Sequence, residues 1–275
     1  MEYKRPNVSA GSRRSLIYHT YGPTNTPRAY IQASLHADEL PGIVLCHHLT
    51  KMLDEAAKKD AILQEIVIVP YANPIGLSQA FNGDLHLGRF SFETNVNFNR
   101  NWFDLTDQVA KVIENKLTMD ENENTKLIRN ALITCINNTQ LYKLACTADV
   151  VLDLHCDCES LIYMFTHSKC WPQFKDLCVE LQTVAQLLAG DSGGNSFDEA
   201  YTKVWDGLMT KFPGNPIAMG CHSTTVELRG QADVCSCVYI FCICLYLCTS
   251  TCILYSMTTI LVCIYFCAVF ILYTY

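Results

Sequence analysis

Positive charge is scarce in this sequence: 20 Lys and Arg stand against 27 Asp and Glu, for a formal net charge of −7. No stretch gathers those cations as a nucleic-acid surface requires, so nucleic acid is excluded as an expected partner. An anionic small molecule is not excluded, because a local arginine pair outweighs net charge inside a cleft. The N-terminus, Met1 to Pro6, has no apolar run behind its basic residues, so a secretory signal peptide is not expected.

Charge vanishes altogether after Val234: residues 235–275 contain no Asp, Glu, Lys, Arg or His. The cysteines divide at the same point. Cys46, Cys135, Cys146, Cys156, Cys158, Cys170, Cys178 and Cys221 are scattered through apolar or helical stretches. That pattern predicts free, mostly buried thiols in a reducing, cytoplasmic setting and not a disulfide framework. The remaining cysteines all fall in the uncharged tail, which marks a boundary. Residues 1–234 are expected to form the folded domain. Residues 238–275 are apolar enough to span a bilayer once or to form a hairpin, and membrane association is expected only through them. They lack flanking cations, internal Gly or Pro and edge Trp, which argues against an anchor. Their Cys, Tyr, Phe, Ile, Leu and Val bias matches U-rich codons and points to translated non-coding sequence.

The first 234 residues alternate strand and helix patterns. Strands are expected at Arg28–Leu35, Ile66–Pro70, Asp149–Leu154 and Thr224–Leu228, and helices at Pro41–Ala57, Val109–Leu117, Lys126–Asn138 and Pro172–Ala189. Such alternation predicts an α/β fold, a mixed, mostly parallel sheet flanked by helices on both faces. Ligands of such sheets sit beyond the carboxyl ends of the strands, and His36 and His155 are both expected there.

Four elements carry chemistry. His36 and Glu39 form an H-x-x-E pair just past a strand, able to turn both side chains toward one metal; an isolated pair of this kind is more often a surface turn. Asp153-Leu154-His155 places a histidine after an apolar run, with Asp153 available to orient its ring. Two histidines and a glutamate make the three-ligand set of hydrolytic zinc sites. Glu227 stands inside the apolar strand Thr224–Leu228, where a carboxylate costs free energy unless it has a task or a partner. An ion pair with Arg229, two residues on and sharing its face, is the bland alternative. Last, Arg89 and the run Asn97-Phe98-Asn99-Arg100 offer guanidinium forks and an amide for a carboxylate, or simply an Asn-rich surface loop.

The order of these elements is more specific than any one of them. H-x-x-E, then Asn73-Pro74-Ile75-Gly76, Gly88-Arg89-Phe90, Asn97-Phe98-Asn99-Arg100-Asn101, Asp153-Leu154-His155, Gly193–Glu199 and Val226–Gln231 together resemble the zinc carboxypeptidase family. More closely, they resemble its succinylglutamate desuccinylase/aspartoacylase branch, over roughly residues 15–234. The resemblance implies one zinc ion per chain held by His36, Glu39 and His155. It implies Glu227 as general base and acid, Arg89 as the group that polarises the scissile carbonyl, and Asn99 and Arg100, with Arg229 nearby, for a substrate carboxylate. The expected activity is a deacylase of N-acyl amino acids, the alternative a metallocarboxypeptidase. In that family a smaller β-rich domain follows the glutamate strand. Here the resemblance breaks at Val234–Cys235, so the C-terminal β-domain is expected to be missing, with a truncated, inactive or membrane-associated product as the alternative of another class.

Overall fold

The computed structural model describes residues 2–4, 14–81, 85–136 and 139–234. The expectations for the tail, as membrane segment, aberrant translation or replacement of a β-domain, all lie outside the described residues. In chain order the elements are β1 (Glu2–Lys4), β2 (Ser15–Ile17), β3 (His19–Tyr21), β4 (Arg28–Ala33), α1 (Leu40–Ala57), β5 (Glu65–Val69), β6 (Ala80–Phe81), β7 (Leu85–His86), α2 (Thr106–Ile113), α3 (Glu121–Cys135), α4 (Gln140–Ala145), β8 (Val150–Asp157), β9 (Tyr163–His167), α5 (Trp171–Glu180), β10 (Ala185–Ala189), α6 (Glu199–Lys211) and β11 (His222–Gly230). Seven strands form one sheet in the order β10-β9-β11-β8-β4-β5-β3. β5, β4, β8 and β11 run parallel, while β3 joins β5 and β9 joins β11 antiparallel. The expected mixed, mostly parallel sheet is the one observed.

Alternation along these strands splits the core into two layers. Ile31, Ala33, Ile66, Ile68, Leu152, Leu154, Met164 and Val226 point one way, toward Leu45, Leu49 and Leu53 of α1 and Phe174 and Leu177 of α5. Tyr30, Val67, Val69 and Val151 point the other, toward α2, α3, α4 and α6 through Val109, Ile128, Tyr142, Val204 and Trp205. Strands buried on both sides read as continuous apolar runs, which is why Glu65–Val69 is buried throughout. Six of the eight cysteines before the tail are buried, and all eight are free. Among the described residues no helix is long and apolar enough to cross a membrane.

Two expectations are corrected. The helix over Pro172–Ala189 stops at Glu180, and residues 185–189 are edge strand β10. Gln182 takes a left-handed φ of 52° there, and the Val184 N–H donates to the Ile162 carbonyl, starting a parallel ladder that helical periodicity cannot reveal. His155 is not at the end of its strand: β8 continues to Asp157 because β11 pairs with it that far.

A close approach fixes the loop after β4. A Cβ on Gly88 would sit 2.2 Å from the Asp38 nitrogen, and the Ala37 N–H donates to the Gly88 carbonyl at 3.1 Å. Backbone cannot yield as a flexible side chain can. Gly88→Ala is therefore expected to destabilise the fold by at least the ~1–3 kcal/mol usual for overpacking and to lower metal uptake, read by denaturant melts and metal analysis.

Candidate metal centre

The His36 loop is pinned from outside. Asn73 donates from Nδ2 to the Leu35 carbonyl at 2.9 Å and accepts the Gly76 N–H at 2.9 Å, so the Asn73–Gly76 turn is a brace for the residue before His36. Glu39 then falls at the N-terminal boundary of α1. Gly42 lets that helix press onto the sheet, since a Cβ there would lie 2.9 Å from the Ala33 Cβ.

His36, Glu39 and His155 converge. Nδ1 of His36 lies 2.9 Å from Glu39 Oε1, and Nδ1 of His155 lies 2.8 Å from Oε2. The ligand atoms of all three fall within 4.8 Å of one another, and all three residues are buried. The second ring nitrogens are engaged elsewhere. Nε2 of His36 donates to Asn97 Oδ1 at 2.8 Å, and Nε2 of His155 lies 3.1 Å from Asp153 Oδ2. Neutral rings with that tautomer aim two Nδ1 lone pairs at one carboxylate, an arrangement only a cation or protons between them can satisfy. Imidazole nitrogen and carboxylate oxygen are zinc donors, so the residues fit the metal.

A proton on His155 can take the place of the cation. Burial would raise the Glu39 carboxyl, but the charge of His155 and hydrogen bonds from both histidines hold it well below the usual range. Burial would lower His155, and the charges of Asp153 and Glu39 overcome it and raise it. Behind His155 runs a buried polar chain: Tyr30 donates to Gln32 Oε1 at 2.8 Å, and Gln32 Nε2 donates to Asp153 Oδ1 at 2.9 Å. Gln32 and Asn97 were not singled out from sequence. Gln32 had a signal, a polar side chain inside an apolar strand; Asn97 had only its place in the Asn-rich loop.

Glu227 is the direct cross-strand partner of His155 on the adjacent strand β11. Burial raises its carboxyl to about 7, with Glu39, Asp157 and Asp153 adding to the shift and His155 opposing it. The ion pair with Arg229 does not form. The ladder shifts register between Glu227 and Gly230, Arg229 takes φ 61°, and its Nε sits 3.4 Å from Asp233. A bulge breaks the two-residue repeat on which the shared face depended.

Arg89 reaches the centre, with Nη2 donating to Glu39 Oε1 at 2.8 Å while the side chain stays partly exposed. The Asn99 amide, expected to meet a substrate carboxylate, is buried beside the candidate ligands: Oδ1 accepts the Phe197 N–H at 2.8 Å, and Nδ2 lies 3.3 Å from His155 Nε2. It belongs to the frame of the site. Arg100 is exposed, its Nη1 donating to the Asn99 carbonyl at 2.7 Å, and Gly194 packs against its stem. Asn97 Oδ1 accepts both the His36 ring and the Asn99 N–H at 2.8 Å, coupling the ligand to the arginine loop. Asn97→Ala is expected to weaken zinc binding by about 10–100-fold with the fold intact, measured by competition with a chelating dye.

Residues 25–190 match the succinylglutamate desuccinylase/aspartoacylase catalytic domain. No curated protein matches the chain. Among solved structures, one assigned as a succinylglutamate desuccinylase/aspartoacylase from Shewanella frigidimarina superposes with a TM-score of 0.74 at 22% identity, covering 92% of this chain and 71% of that one. A succinylglutamate desuccinylase/aspartoacylase family protein from Shewanella amazonensis gives 0.74 at 24% identity, over 91% and 72%. A protein assigned as a metallopeptidase from Shewanella denitrificans gives 0.51 at 15%, over 90% and 84%. At these identities the structures attest the shared fold. The domain match covers more than half of the chain, which therefore belongs to the succinylglutamate desuccinylase/aspartoacylase family.

Proposed function

We propose that this chain is a zinc-dependent hydrolase that cleaves the amide bond of a carboxylate-bearing small molecule, an N-acyl amino acid. The observation that carries the reading is the convergence of three buried ligand atoms beside a buried carboxylate on the next strand. His36, Glu39 and His155 would hold one zinc ion, which when bound supplies a Lewis acid that polarises a carbonyl oxygen and acidifies water.

The protein's own groups do the rest. Glu227, whose proton affinity is tuned to neutrality by burial, accepts the proton of the water that adds to the amide carbonyl and returns it to the departing nitrogen. Arg89 is already within 2.8 Å of a ligand oxygen, so its guanidinium lies where it can steady the developing oxyanion. Asp153 and Asn97 keep the histidine rings in orientation. Arg100 takes a substrate carboxylate at the rim with Asn99 holding it from behind, and Arg229 adds a second cation there.

Metal analysis of the purified full chain, joined to a screen of N-acyl amino acids against peptides with free C-termini, tests the proposal. One zinc per chain and release of amino acids from the N-acyl set are expected. Folded protein without stoichiometric zinc would sink it. Preferential cleavage of the peptides would replace the deacylase with a carboxypeptidase.

A further inference from the structure

Strand register carries the row that starts at the metal centre past the base. His155 on β8 pairs with Glu227 on β11, and Glu227 pairs with Tyr163 on β9. Directly paired residues project from one face with Cβ atoms about 5 Å apart, so the three side chains stand in line. Tyr163 pairs in turn with Ala185 on β10, and Phe165 with Leu187. The result, among the described residues, is an exposed apolar shelf beside Glu227. Phe165 is 40% and Leu187 46% exposed, and the Tyr163 and Phe165 rings meet edge to face at 5.4 Å.

Position on the row assigns the shelf to one half of the substrate. The bond to be cleaved must place its nitrogen at Glu227, which returns the proton. The metal ligands lie on the β8 side of Glu227, so the departing half extends the other way, over β9. Two carboxylates, Glu227 and Asp157, flank its inner end. The Tyr163 hydroxyl donates to Asp157 Oδ2 at 3.2 Å, and burial, then Glu227 and Asp157, raise its pKa. Carboxylates at the inner end and apolar rings along the floor repel an acidic side chain and bury a flat or bulky apolar one.

We propose that Tyr163, Phe165 and Leu187 form the subsite for the leaving half of the substrate and select an aromatic or large aliphatic side chain over an acidic one. The assignment rests on the hydrolase reading above and narrows its substrate class.

The zinc-loaded full chain is assayed with N-acetylphenylalanine, N-acetylaspartate and N-acetylglycine, alongside Phe165→Ser and Leu188→Ser, the latter exposed on the opposite face of the same edge. Wild type is expected to favour the phenylalanine over the aspartate derivative by about tenfold or more in kcat/KM. Phe165→Ser is expected to cut the phenylalanine-to-glycine ratio about fivefold, through KM, and Leu188→Ser to leave it within about twofold. Preference for aspartate, or equal effects of the two serine variants, overturns the subsite. So does a Phe165→Ser chain that changes melting temperature or oligomeric state with selectivity intact, because residues 235–275 or a second copy then cover the shelf. If wild type hydrolyses none of the three, the hydrolase reading fails by itself. Calorimetric binding of N-acetylphenylalanine, about fivefold weaker in Phe165→Ser, then still decides the subsite.

Discussion

Glu227→Gln is expected to lower kcat by about 10²–10⁴-fold while the zinc stays bound, the range that a positioned general base contributes. The amide keeps the shape of the carboxyl and takes no proton, and Glu227 makes no ion pair whose loss would disturb the sheet among the described residues. A second signature follows from its raised proton affinity. The folded value of about 7 lies above the unfolded 4.5, so the folded state holds the proton more tightly and stability falls as pH rises between the two. In metal-free protein the wild type thus carries a penalty above pH 7 of up to about 3 kcal/mol, at ~1.4 kcal/mol per unit, that the glutamine variant does not. Denaturant melts at pH 5 and pH 9 read the difference, which should open only at the higher pH. In the zinc-loaded enzyme the cation draws the value down, placing the acid limb of kcat/KM at or below pH 7. A variant that keeps wild-type turnover removes Glu227 from the mechanism.

His155→Ala has the largest expected effect on the fold. The ring lies between two buried carboxylates, 2.8 Å from Glu39 and 3.1 Å from Asp153, with neither more than 2% exposed. Its removal leaves both charges facing a cavity, and breaking a buried pair in this way costs about 3–5 kcal/mol. Zinc binding should fall by more than the 10–100-fold that loss of an outer partner costs, because a ligand itself is gone. Unfolding free energy and zinc stoichiometry, measured on the same preparation, check both. A variant within about 1 kcal/mol of wild type that retains its zinc contradicts the assignment of His155 as a ligand.

These sites were legible to different depths. His36, Glu39 and His155 could be read because ligand chemistry restricts residue type, and because two of them share a turn. Glu227 was readable as a carboxylate where apolar strand predicts none. The surroundings of Asn99 were hidden: an amide beside an arginine suggests an anion site, and only the fold shows it turned inward beside His155 and the Phe197 N–H. The edge strand β10 was hidden inside a helical pattern, because five residues at a sheet margin carry too little periodicity to contradict it.

The residue order by itself determined the α/β class, the parallel core strands and which three residues offer metal-donor atoms, since burial on both faces and donor chemistry are properties of local sequence. Only the tertiary structure decided how those pieces act together. Pairing of β8 with β11 sets Glu227 beside His155 across 71 intervening positions of chain, and pairing of β11 with β9 brings Tyr163 into the same row. A bulge at Arg229 cancels an ion pair that spacing alone allowed. Register and bulges depend on partners distant in sequence, and no local pattern encodes them.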